Sequence, residues 1–193
     1  MVAKLRYDAV AITFHWLIAI ALAGQLTMGW TMTSMKPGTY SQFQLYQAHK
    51  SLGMTILVIS VLRVVWRLLH TPPPLPTSMP AWERRLARVS HIALYVLLLA
   101  LPLSGWAVVS ASPLNIPTVL YGVVHLPHIA FLANLPNKNA AESVLKELHE
   151  AGAWILITLL AGHVAAALRH HFLLHDDVLV RMVPCLAIQR LQA

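Results

Sequence analysis

Cysteine is almost missing from this chain. Cys185 is the only one, so no internal disulfide can staple the fold. Charge is scarce as well: Asp, Glu, Lys and Arg make up 11% of 193 residues, where a soluble domain carries about 25%. The charge that is present leans one way, with 14 Lys and Arg against 7 Asp and Glu. Long stretches have none at all. Ala9 to Met35 contains no Asp, Glu, Lys or Arg, and neither does the interval between Glu150 and Arg169. These absences exclude a disulfide scaffold and an ordinary water-soluble domain. In their place stand apolar residues, 58% of the chain, with a mean hydropathy of +0.63. The composition is that of a polytopic membrane protein. A formal charge of +7 invites a nucleic-acid partner, but the basic residues sit beside apolar spans, as membrane topology requires, so none is expected.

The reading is all-α: a single transmembrane domain over residues 1–193, an integral membrane four-helix bundle with spans at about 9–33, 46–69, 82–110 and 142–174. Lys4, Arg6 and the apolar run ending in Ala21-Leu22-Ala23 imitate a signal peptide. The apolar character continues past Gly24 to Met35 and carries His15, so the segment reads as a retained first span. Pro37-Gly38 marks a turn, and Pro72, Pro73, Pro74, Pro76 and Pro80 make a stiff spacer. Pro102 predicts a kink in the third span. The loop from Pro113 to Ala141 holds an apolar patch broken by prolines, predicted to lie at the interface or cap the bundle.

Counting cations orients the chain. Lys4, Arg6, Arg63, Arg67, Arg84, Arg85, Arg88, Arg169, Arg181 and Arg190 fall on one side; Lys36, Lys50, Lys138 and Lys146 fall on the other. The richer side is expected to face the cytoplasm, with both termini there.

The most informative stretch is HEAGAWILITLLAGHVAAALRHH, His149 to His171. Fourteen residues of α-helix turn through about 1400° and climb about 21 Å, so His149 and His163 share one face at different depths. An ionisable side chain inside a membrane helix is costly and marks a functional site by default. His49 opens the second span at the depth of His149, and His15 lies at the depth of His163. Two transverse pairs result, His49 with His149 and His15 with His163. Two six-coordinate haems stacked across a four-helix bundle need that arrangement. No C-x-x-C-H occurs, so such haems would be held without thioether links. The alternative is that each histidine simply hydrogen-bonds a neighbouring helix. His91 competes for the inner site, as partner to His15 or in place of His163. Gly24, Gly29, Gly53, Gly105, Gly152 and Gly162 suit either close approach of a flat macrocycle or ordinary helix packing. Arg63 and Arg67 read either as topology determinants or as partners of haem propionates. His170 and His171 lie at the inner water boundary, His125 and His128 in the long loop, and His70 and His175 at helix ends.

The pattern resembles the bacterial cytochrome b561 family of small di-haem membrane proteins. The resemblance runs through FHWL around His15, AHKSLG around His49 with Arg63 and Arg67 beyond, and SHIALYVLLLALPLSGW around His91. Its most specific part is LHEAGAWILITLLAGHVAAALRHHF with the trailing LVRMVP. It implies two b-type haems ligated by His15, His49, His149 and His163, and a bacterial inner-membrane location. The implied activity is superoxide:ubiquinone oxidoreduction, with superoxide oxidised outside and quinone reduced near the inner haem. Alternatives are an electron-transfer subunit for a respiratory partner, or a non-redox histidine-bearing membrane protein. Outer lysines, Lys50 among them, would steer an anion, opposed by Glu142, Glu147 and Glu150. His170 is the candidate proton donor or hydrogen-bond partner for quinone, with His91 in reserve.

Overall fold

In a computed structural model of the chain, residues 6–75 and 79–183 are described; Lys4, Pro76, Cys185 and Arg190 lie outside them. Four long helices form: α1 (Ala9–Ser34), α2 (Tyr40–Leu69), α3 (Ala81–Ala111) and, after a β-hairpin and a single short turn, α5 (Lys138–Phe172). Each is long and apolar enough to cross a membrane. The hairpin pairs β1 (Thr118–Leu120) with β2 (Val124–Leu126), and α4 (Ala130–Ala133) follows. The long loop thus carries a hairpin and a helical turn of its own, and the chain is mostly rather than wholly helical.

Two helices begin earlier than hydropathy suggests, for a local reason. Thr39 accepts the Gln42 amide and starts α2 at Tyr40; Asn137 accepts the Ala140 amide and starts α5 at Lys138. Side-chain caps satisfy the orphan N–H groups of a first turn, so the helix extends past its apolar part. Pro102 leaves the carbonyl of Leu98 without its usual donor, and α3 runs on through it.

The helices pack in the order α1, α2, α3, α5, with the α1–α5 side closed mainly by side chains. Trp30 of α1 meets Trp154 of α5 with ring centres 6.1 Å apart. Among the described residues, Ile18, Leu22, Ile56, Leu98 and Leu156 form the buried central layer. Outward residues such as Ile20, Val58, Val96 and Val164 stay exposed, and in a bilayer they meet acyl chains.

One end of the bundle, the arginine-rich end, carries Arg63, Arg67, Arg84, Arg85, Arg88 and Arg169. Here Arg169 pairs with Glu83, the Trp16 indole donates to the Met182 carbonyl at 2.8 Å, and Arg181 donates to the Pro74 carbonyl. At the opposite end the hairpin docks on α2. The Tyr121 amide donates to Ser51 Oγ at 3.0 Å, Tyr121 and Thr55 share a hydroxyl contact of 2.6 Å, and Gln47 Nε2 donates to the Pro117 carbonyl at 3.0 Å.

Asp8 clamps the start of α1. Its carboxylate accepts the Ala11 amide at 2.8 Å and the Trp66 indole N–H at 3.1 Å, tying α1 to α2. Burial alone would raise this carboxyl; the Ala11 amide and Trp66 indole outweigh it and hold it below 3.8. A depressed folded pKa gives stability that is present above 3.8 and disappears as pH falls through the lowered value. Asp8→Ala is expected to cost about 1 kcal/mol, as lost helix caps do. Thermal unfolding should show that deficit at pH 7 and a smaller one once the pH has fallen through the lowered value.

Candidate functional site

Seven residues of helix make nearly two whole turns, about 10 Å of rise, so residues seven apart share a face. Four of the five central-layer residues obey that offset from a histidine, and Ile18 lies one turn beyond His15. Leu22 is seven beyond His15, Ile56 seven beyond His49 and Leu98 seven beyond His91; Leu156 stands midway between His149 and His163. The central layer is thus flanked on both sides by imidazoles.

Toward the hairpin end, His49 of α2 and His149 of α5 bring their ring centres within 6.5 Å. Toward the arginine-rich end, His15 of α1 and His163 of α5 lie 6.2 Å apart. Both expected pairs are brought together. His91 joins the second, 5.5 Å from His163, making three imidazoles there.

Hydrogen bonds fix the ring nitrogens. Ser104 Oγ donates to the Leu101 carbonyl at 2.8 Å, so its one proton is committed. It lies 2.8 Å from His149 Nδ1 and must accept there, which places that ring's proton on Nδ1 and leaves Nε2 with a free lone pair. A metal-binding histidine needs that tautomer. His49 is held differently. The Gln25 amide donates to its backbone carbonyl at 3.1 Å and reaches its Nε2 at 3.1 Å. His49 Nδ1 and Gln25 Oε1 are both buried without a partner. Buried orphan polar atoms of this kind ask for a missing group. At the other end Arg63 Nη2 donates to His15 Nδ1 at 3.1 Å and its guanidinium lies 5.5 Å from the centre of the Tyr95 ring.

The donor set fits an iron porphyrin. Metal–imidazole bonds are about 2 Å long, so two rings on opposite sides of one ion have centres about 6 Å apart. Both pairs meet that spacing. Backbone gives way beside the rings too: a Cβ on Gly105 would sit 3.2 Å from His149, and one on Gly29 would sit 3.3 Å from His49. The other glycines differ. Gly24 and Gly152 face leucines, Gly53 faces Gln25, and Gly162 has open space.

The family model for prokaryotic cytochrome b561 matches residues 6–185. This chain belongs to that family. Cytochrome b561 homolog 2 of Escherichia coli K12 is 36% identical over 92% of this chain and 91% of its own length. Cytochrome b561 homolog 1 of the same organism is 29% identical over 93% of this chain and 97% of its own. A probable superoxide oxidase CybB of Yersinia pestis is 28% identical over 93% of this chain and 96% of its own. This b561 protein is thus a multi-pass membrane electron-transfer protein of a family that binds b-type haem, and the non-redox reading falls away.

Other residues singled out in the sequence are scattered. Lys50 Nζ donates to the Pro117 carbonyl at 3.3 Å and so tethers the hairpin's approach to α2. Lys138 is bonded to Asn115 Oδ1 at 2.6 Å, while Lys36 and Lys146 are exposed. His170 is 6% exposed, and its Nδ1 meets Asp176 Oδ2 at 2.5 Å. His70 stacks on Trp66, and His125 and His128 line a loop cavity with Asn115 and Pro117. Arg67 lines a separate groove with Arg88. Sequence reasoning missed Ser104, Gln25 and Asp176. A lone amide in an otherwise apolar first span was a usable signal for Gln25, since such groups are expensive in lipid.

Proposed function

We propose that this b561 protein holds two b-type haems, with His49 and His149 ligating one and His15 and His163 the other. Bound there, the two irons would supply one-electron redox chemistry at two depths of the membrane. The observation that carries this reading is the pair of matched imidazole spacings, 6.5 and 6.2 Å, on either side of the apolar layer. Two histidines per iron would leave no open coordination position, so small reactants would meet an edge and not the metal. Arg63 donates only, so while it bonds His15 Nδ1 a neutral ring keeps its proton on Nε2. With haem bound, Arg63 would pair an acidic propionate instead, and His15 would then be free to present Nε2. Arg67 adds positive charge on the same side without touching His15.

The activity proposed is superoxide:ubiquinone oxidoreduction. Two superoxide anions each give up one electron and become dioxygen at the hairpin end; ubiquinone takes the two electrons and two protons at the arginine-rich end. Cation counts orient that end toward the cytoplasm of a bacterial inner membrane, with both termini inside. Lys36 and Lys146 are exposed to attract the anion, and Lys50 lies beside His49 in sequence while holding the hairpin in place. His170, fixed through Nδ1 by Asp176, is the proton-carrying group proposed for quinone. The probable superoxide oxidase among the relatives supports this choice. The alternative is electron transfer for a respiratory partner protein; the 36% identical relative is named only as a cytochrome b561 homolog.

The test is haem quantitation on detergent-purified protein, then superoxide addition and a short-chain quinone. Two b-type haems per chain, promptly reduced and then re-oxidised by the quinone, are expected. Two haems indifferent to superoxide leave the partner-subunit reading in its place. Absence of haem under adequate supply defeats both.

A further inference from the structure

On the outside of the bundle, at the arginine-rich end, α2 and α3 leave a groove of about 360 Å³ between them. Leu68, Ile92 and Val96 line it and are 80%, 58% and 57% exposed, so the groove opens away from the bundle interior. Arg67 and Arg88 also line it, one from each helix. Among the described residues that line it, none is acidic. Glu83, the acidic residue of the first turn of α3, is taken by Arg169. Among the described residues neither Arg67 nor Arg88 donates to a carboxylate or carbonyl. Two unneutralised guanidiniums beside an apolar trough ask for one ligand with an acidic head and a hydrocarbon tail.

We propose that this groove is a binding site for an anionic phospholipid. Its phosphate sits between Arg67 and Arg88, and one acyl chain lies along Leu68, Ile92 and Val96. Guanidinium forks match phosphate oxygens in geometry as well as charge. Basic recesses between membrane helices at the headgroup level bind acidic lipids by this combination. A neutral quinone head would leave both cations uncompensated. The groove also touches the redox centre's surroundings, because His91 and Tyr95 line it while His91 packs on His163 and Tyr95 lies beneath Arg63. A lipid seated here would back the wall of the inner imidazole cluster.

The experiment uses haem-loaded, delipidated protein in detergent, titrated with phosphatidylglycerol or with phosphatidylcholine of the same chain length. Native mass spectrometry counts adducts and thermal unfolding follows Tm. One retained phosphatidylglycerol and a saturable rise in Tm are expected, with neither effect from phosphatidylcholine or from inorganic phosphate. Arg67→Gln and Arg88→Gln should each weaken phosphatidylglycerol by about fivefold, the share of one cation near an acidic lipid. Arg85→Gln, which removes an exposed arginine outside the groove, should not. Ile92→Trp keeps both cations but fills the trough, and should abolish the adduct. Equal binding of phosphatidylcholine, a Tm rise from inorganic phosphate alone, or full retention in both arginine variants would overturn the proposal. So would an Arg85→Gln loss as large as theirs.

Discussion

His149→Ala is expected to lower the haem content from two per chain to one, and His163→Ala to do the same at the other depth. The two losses should differ spectrally, because the surroundings differ: Ser104 and Gln25 attend the hairpin-end pair, Arg63 and His91 the other. The His149 substitution also removes its hydrogen bond to Ser104, worth about 1 kcal/mol net, so the fold should survive. Ser104→Ala sharpens the test. It leaves the ligand in place but removes the acceptor that keeps the proton on Nδ1. Loss of such a supporting partner weakens metal sites by roughly 10- to 100-fold. Haem quantitation with low-temperature difference spectra reads all three. Retention of two haems by either histidine variant would show that the pairing is wrong.

Gly105→Leu should have the next largest effect, and its sign is decided by competing magnitudes. Replacing helical glycine gains about 1 kcal/mol of propensity. Against this, the new Cβ would lie 3.2 Å from His149 Cε1 before the rest of the side chain is placed. Overpacking of this kind typically costs about 1–3 kcal/mol, and here the atom that must yield belongs to a proposed ligand. The expected outcome is loss of the hairpin-end haem with the other retained. Gly162→Ala is the internal comparison, since a Cβ there meets nothing within 4 Å. It should keep both haems and match or exceed the parent in Tm. Equal haem contents in the two variants would separate glycine's role here from the ligand.

The four spans were legible because lipid imposes a simple condition, long runs without charge, that few other pressures disturb. The histidine pairs were legible for the same reason: helical rise converts spacing into depth, and His149 and His163 share a helix. What escaped depends on contacts between distant segments. Ser104 reads as one more small residue until its hydroxyl is seen accepting from His149. Asp176 follows the last helix in sequence, and only the returning chain carries it to His170. The hairpin was hidden by its own turn, in which Tyr121 and Gly122 both take positive φ, 52° and 74°. Tyrosine rarely adopts that conformation, and strands of three residues give no alternation to read. The early starts of α2 and α5 came from Thr39 and Asn137, polar residues that hydropathy discounts.

The central layer bears on energy as well as architecture. Ile18, Leu22, Ile56, Leu98 and Leu156 carry no side-chain hydroxyl, amide or carboxyl. A hydrocarbon layer between two haems would still let an electron tunnel, yet these side chains offer a proton no relay. On the proposed route, charge therefore crosses the layer uncompensated, and the quinone must draw its protons from the far side. Each such crossing works with or against the membrane voltage, at up to about 2.3 kcal/mol per 100 mV for a full traverse. On the proposed route the layer would make turnover electrogenic, and an energised membrane would set its pace.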